Sequence, residues 1–164
     1  MKKTNRLWIV AGISLLLMSI WWWQTRSRTS SQQVFGESNN NPKTKQVQVS
    51  IGKTSILAEI RRSEAEQALG LSWRPGMAEN EGMIFVYDRP QRVSYWMKGM
   101  NFPLDFIWVR QGEVVELNKH VLPPTADDPR IKTVTPVNEV DMVIEVNAGF
   151  VDRHQVKVGD LIDF

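Results

Sequence analysis

The chain has 164 residues, with 20 Lys and Arg against 18 Asp and Glu, and no cysteine. That length suits one ordinary domain and not two, and the missing thiols exclude disulfides, a zinc–thiolate centre, a cysteine nucleophile and lipid attachment at an N-terminal cysteine. The net charge of +2 hides an asymmetry, since residues 1–46 hold seven basic groups and one acid while residues 47–164 hold 13 basic and 17 acidic groups.

Nucleic-acid binding by the C-terminal part is not expected, because a net acidic body releases few phosphate counterions. Residues 1–6 make a basic start. Residues 7–23, LWIVAGISLLLMSIWWW, carry no charge. As a helix rising ~1.5 Å per residue they reach about 25 Å, slightly short of a ~30 Å hydrocarbon layer. Trp21, Trp22 and Trp23 end the run and Arg26 and Arg28 follow, the order expected where a chain leaves a bilayer through its headgroups. A cleaved signal would continue into small residues, so the pattern predicts a retained transmembrane signal-anchor. Lys2, Lys3 and Arg6 predict a cytoplasmic N-terminus and a domain on the extracytoplasmic side. Residues 24–46, rich in Ser, Asn, Gln and Thr, read as a flexible linker.

Residues 47–164 read as a single mainly β domain, a small barrel or sandwich with one or two short helices. VQVSI and SILAEI flank Gly52-Lys53 and alternate with period two, the mark of a hairpin. Ser63 with Glu66 three residues on forms a capping-box pattern, and Gly70 ends the short helix it opens. MIFVY, VSYWM, DFIWVR, EVVELN and DMVIEVN are strand candidates, rich in branched and aromatic residues and parted by Asp-Arg-Pro, Asn-Phe-Pro and Gln-Gly turns. The unbroken FIWV implies burial on both faces. A last short helix near residues 149–153 and a closing strand at LIDF complete the set. No internal repeat is present. The longest irregular span, residues 119–140, exceeds the usual connection length.

The ordered stretches LGLSWR (69–74), EGMIFVYD (81–88), YWMKGMNFPLDFIWV (95–109), IEVNAGF (144–150) and VKVGDLIDF (156–164) resemble the family catalogued as domain of unknown function 192. The resemblance implies a compact β-rich domain, often behind an export signal, with no established activity or cofactor. That family usually reads Trp-Met-Lys-Asn-Thr where this chain has Gly99 and Met100 in the last two places. Asn101 can supply a substitute amide.

In an extended strand Val93, Tyr95 and Met97 share one face and Ser94, Trp96 and Lys98 the other. With Asn101-Phe102-Pro103 in a turn, Lys98 and Asp105 stand at its shoulders, which predicts an ion pair closing the loop beside Trp96. Arg74, Glu81, Glu145 and Asn147 are the other polar residues in the matching stretches, and an Arg–Glu fork is expected among them. Trp96, Lys98, Asn101, Asp105, Arg74, Glu145 and Asn147 are therefore the candidate ligand-binding residues.

No catalytic residue, metal or cofactor is assigned. The chain lacks a Gly-x-Ser-x-Gly elbow, a Walker loop and a dinucleotide fingerprint. His120 and His154 lack metal-ligand spacing, Met77, Met83, Met97 and Met100 suit core filling, and Asp127-Asp128 suit a solvated loop. The expected role is a membrane-anchored binding domain for an unidentified envelope ligand or protein. The rival is a hydrolase-like or metal-assisted enzyme using Asp105 and Glu145.

Overall fold

The computed structural model describes residues 46–164. The expected basic start, the anchor at residues 7–23 and the linker up to residue 45 lie outside the described residues. Among the described residues no helix is long and apolar enough to cross a membrane.

Strands β1 (Gln46–Ile51) and β2 (Thr54–Arg61) form the expected hairpin, turning at Gly52, whose φ of 56° costs a glycine little. Helix α1 (Glu64–Leu69) is capped as predicted: the Ser63 hydroxyl accepts the Glu66 N–H while Glu66 accepts the Ser63 N–H, and Gly70 closes the last turn. No α1 residue is buried, so its ends hold it more than its face does. The chain then enters β3 (Glu81–Gln91), which lies parallel to β2, and α1 is therefore part of a crossover.

Strands β5 (Leu104–Arg110), β6 (Glu113–Val121) and β8 (Val140–Asn147) extend the sheet, with β5 and β6 joined through Gln111 and Gly112. Both turn residues have positive φ, 52° and 76°, as a two-residue hairpin of the primed type requires. With β9 (Ile162–Asp163) at the far side, the order is β6-β5-β8-β3-β2-β1-β9. The expected barrel or sandwich is thus one sheet curled into a half-barrel. Its two edges meet along a short seam at the Glu113–Leu161 bridge, where the Val114 and Ile162 N–H groups donate to the Asp160 and Gly112 carbonyls and the Gly159 N–H donates to the Val114 carbonyl.

β5 is buried from Leu104 to Val109, as FIWV implied, since apolar layers lie on both faces. On the first, Ile56, Ile84, Ile107 and Ile144 meet Phe150 and Val151 of α2 (Phe150–His154). On the second, Met83, Phe85, Phe106 and Trp108 are covered by Leu71, Met97 and Met100. Each fully buried large side chain contributes about 2 kcal/mol. Met83, Met97 and Met100 are buried and Met77 packs beside them, which makes them core fillers.

The strand expected at VSYWM shrinks to β4 (Tyr95–Trp96) and leaves the main sheet, pairing instead with β7 (Thr133–Val134). β7 lies inside the span expected to be irregular. Neither strand is marked by more than two paired residues, so no periodicity of its own announces β7. The alternation across residues 93–98 survives: Val93, Tyr95 and Met97 turn inward, Ser94, Trp96 and Lys98 outward.

Candidate functional site

Three of the quoted stretches converge at one end of the sheet. The Asn101 amide donates to the Arg74 carbonyl at 2.8 Å, and the Asn147 amide donates to the carbonyls of Met77 and Ala78 at 3.0 and 2.9 Å. Ser72 Oγ donates to the Lys98 carbonyl at 3.1 Å, and the Trp73 N–H to the Gly99 carbonyl at 2.7 Å. Asn101 and Asn147 thus stitch residues 74–78 to the turn at residues 97–103 and to the end of β8.

The expected Lys98–Asp105 pair does not form. Asp105 is fully buried, and its two oxygens accept the N–H groups of His120 at 2.8 Å and Val151 at 3.0 Å. Val151 lies in the first turn of α2, whose cap residue Gly149 has no side chain to offer, so a carboxylate from β5 completes the cap. Lys98 stays exposed on the opposite turn shoulder. A two-residue count along the chain cannot reveal this, because β5 begins right after Pro103 and turns Asp105 beneath the sheet.

The Asp105–Glu145 acid–base pair is not assembled either. Asp105 pairs with Val146 and Phe106 with Glu145, and directly opposed residues share a face. The two carboxylates therefore point to opposite sides of the sheet.

The Arg–Glu fork exists, with a partner other than the residues singled out. Arg74 donates through both terminal nitrogens to Glu59 at 2.7 and 2.8 Å, and Arg61 adds a third bond to Glu59 at 2.6 Å. These bonds, Arg74 foremost, hold the Glu59 carboxyl below its ordinary pKa despite burial. Glu81 accepts the Ala78 N–H at 3.1 Å. Glu145 stands apart: it is 5 % exposed, lies between Met83 and Phe106 on the second face, and accepts no hydrogen bond from any described residue. Desolvation pushes its pKa up to about 8, opposed by Arg74.

Next to this network a groove of about 310 Å³ opens between the end of α1 and β4, walled by Leu69, Leu71, Phe85, Tyr95, Trp96 and Met100. Its polar side chains are already engaged. Gln67 donates to the Val86 carbonyl at 3.2 Å, Ser94 meets Thr135 at 2.7 Å, and the Tyr87 and Tyr95 hydroxyls meet at 2.6 Å. Burial raises the pKa of both phenols. The Tyr95 ring sits edge-on to Phe85, Phe106 and Trp108 at centroid distances of 4.9, 5.8 and 5.9 Å. Trp96, by contrast, is 61 % exposed at the rim. Such a site recognises apolar and aromatic groups by contact, with no charge at its wall.

The family model for domain of unknown function 192, described as "Uncharacterized ACR", matches residues 47–164. The chain belongs to this family. Among curated proteins none matches the chain. A crystal structure of a candidate transcription regulator from Sinorhizobium meliloti is similar at 24 % identity and a TM-score of 0.67, covering 73 % of this chain and 94 % of that one. A protein of unknown function from Novosphingobium aromaticivorans is similar at 28 % identity and a TM-score of 0.66, covering 73 % and 85 %. The first likeness speaks for the fold alone.

In this DUF192 domain the two unusual positions have structural uses. Met100 fills the second core layer. Gly99 has φ 72° and lies so close to the Trp73 indole that a Cβ would sit 2.9 Å from it. Trp73 itself is a non-glycine residue at φ 65° and exposed, a backbone choice that costs about 1–2 kcal/mol.

Sequence reading passed over Glu59, Tyr87 and Tyr95. A signal for Glu59 was present: Leu57, Glu59 and Arg61 share one strand face, which sets opposite charges two residues apart. Nothing in the chain order pairs Glu59 with Arg74. His120 Nδ1 lies 4.0 Å from Asp152, while His154 stacks on Phe150 and reaches the Thr54 hydroxyl at 3.2 Å. Asp128 is held by Arg130, and among the described residues no three His, Asp or Glu side chains are grouped to hold a metal.

Proposed function

We propose that this protein is a membrane-tethered, extracytoplasmic binding domain whose groove beside Trp96 takes an uncharged, largely apolar group from an envelope ligand or partner. The tether follows from the sequence of residues 7–46. The groove carries the binding reading, since it combines an aromatic floor, an exposed indole at its rim and polar groups already satisfied within the protein. Of the candidate residues, Trp96 faces a ligand, whereas Arg74, Asn101, Asp105 and Asn147 hold the surrounding loops in place. The hydrolase-like reading gains no support, because the sheet separates Asp105 from Glu145.

The experiment is a thermal-shift screen of the full chain against apolar peptides and envelope sugars, repeated with Ala68→Trp. Ala68 lines the groove from α1 and is exposed, so the larger ring obstructs the opening without entering the core. A saturable shift that the substitution removes supports binding there. A shift of equal size in both proteins places the ligand elsewhere and refutes the groove.

A further inference from the structure

The β4–β7 ribbon has an outward face that begins at the groove rim, at Ser94 and Trp96, and runs on beyond it. Trp96 stands opposite Thr133, and Ser94 meets Thr135 through their hydroxyls. Strand alternation then puts Lys98 across from Ile131 and Arg92 across from Val137, and the Arg92 guanidinium does donate to the Val137 carbonyl. Trp96, Ile131 and Val137 are 61, 50 and 71 % exposed. Buried Met97 and half-buried Tyr95 and Val134 fix the ribbon from beneath. Although residues 47–164 have an acidic balance, residues 92–98 and 131–137 contain no acid and set Arg92 and Lys98 on the outward face, where one carboxylate from β6, Glu116, accepts the Val137 N–H at 2.8 Å.

An indole and two aliphatic side chains between hydroxyls and cations match the boundary layer of a bilayer, where rings settle at the headgroups and cations meet anionic lipid. A groove for a purely apolar partner has no use for the cations, and a nucleic-acid site has no use for exposed Ile131 and Val137. The chain outside the structure points the same way. Residues 24–45 separate β1 from the apolar run, and a flexible linker of 22 residues, the reading their composition supports, would span roughly 26 Å. A domain of this size has a radius of gyration of about 14 Å, so the leash is long enough to let a lateral face turn to the membrane.

We propose that the outward face of the β4–β7 ribbon, centred on Trp96 and bordered by Lys98 and Arg92, docks the domain onto an anionic lipid surface. This rests on the tethered reading. Seated so, the domain would carry the mouth of the groove at the level of the headgroups.

Because the chain has no cysteine, single labels can be placed cleanly. The full chain carrying Thr133→Cys or Gln48→Cys, each with an environment-sensitive dye, is reconstituted into bilayers of phosphatidylcholine alone or mixed with phosphatidylglycerol. Gln48 is an exposed residue of β1 and reports the bulk. The proposal expects the Thr133 label to shift to the blue and be quenched several-fold more by spin-labelled lipid in the anionic bilayer. The Gln48 label should not respond, and Lys98→Glu or raised salt should reverse the effect. Salt needs no substitution, so a misfolded variant cannot mask the result.

A chain that floats with the bilayers while its Thr133 label stays as wet as the Gln48 label overturns ribbon docking and leaves the tether standing. A chain that floats with neither lipid overturns both. Shielding that appears only when envelope protein is added assigns the face to a protein partner and likewise overturns the proposal.

Discussion

Replacing Glu145 with Gln tests the most unusual group in the domain. In the folded protein its pKa is pushed up to about 8 from an ordinary 4.5, chiefly by desolvation. Below pH 4.5 both folded and unfolded chains hold the proton, and the contribution of Glu145 to stability is fully present. Between 4.5 and 8 the unfolded chain releases the proton while the folded chain keeps it, so stability falls as pH rises. Above 8 both forms are ionised and the loss is complete. At about 1.4 kcal/mol per pH unit the penalty reaches roughly 3 kcal/mol at pH 7 and roughly 5 kcal/mol beyond pH 8. Arg74 already opposes desolvation within that value.

Glu145→Gln keeps the shape and removes the titration. Urea unfolding of both proteins between pH 5 and 9 should therefore show little difference at the acid end. At pH 8 the variant should be more stable by several kcal/mol. Taking the difference cancels Glu59, Asp128 and Asp152, whose pKa values are lowered by Arg74, Arg130 and Lys119 and which lose stability on acidification. Parallel curves would mean that folded Glu145 titrates as an ordinary acid, and the account of its buried carboxyl, which no described residue supplies with a hydrogen bond, would be wrong.

Asp105→Ala leaves the buried N–H of Val151 and the half-buried N–H of His120 without their acceptor, at a cost of about 3 kcal/mol. Hydrogen exchange should quicken at those two amides before it does elsewhere, whereas uniform quickening would deny Asp105 its role as the cap of α2. Arg74→Lys keeps a charge and loses the two-pronged bond to Glu59, costing about 2 kcal/mol. A double-mutant cycle with Glu59→Gln measures the coupling, and strict additivity would show that the fork contributes nothing. Gly99→Ala forces a side chain into φ 72° and to 2.9 Å from Trp73; a loss of about 1–3 kcal/mol is expected by urea unfolding, and an unchanged midpoint would deny the close contact.

What the chain order determined was local. The turn at Gly52-Lys53, the Ser63–Glu66 cap, the Gln111-Gly112 turn and the doubly buried β5 each follow from residues within a few positions of one another, where period and turn chemistry act. The alternation around Trp96 was equally legible. Partnership across the sheet was decided only by the tertiary structure. The pairing of β5 with β8 sends Asp105 to the cap of α2 and turns Glu145 away from it. A parallel crossover brings Glu59 to Arg74, and two residues of β7 draw Trp96 into a ribbon. A charge on an extended strand carries no mark of which neighbour will face it, because that choice depends on register and crossover geometry summed over the whole domain.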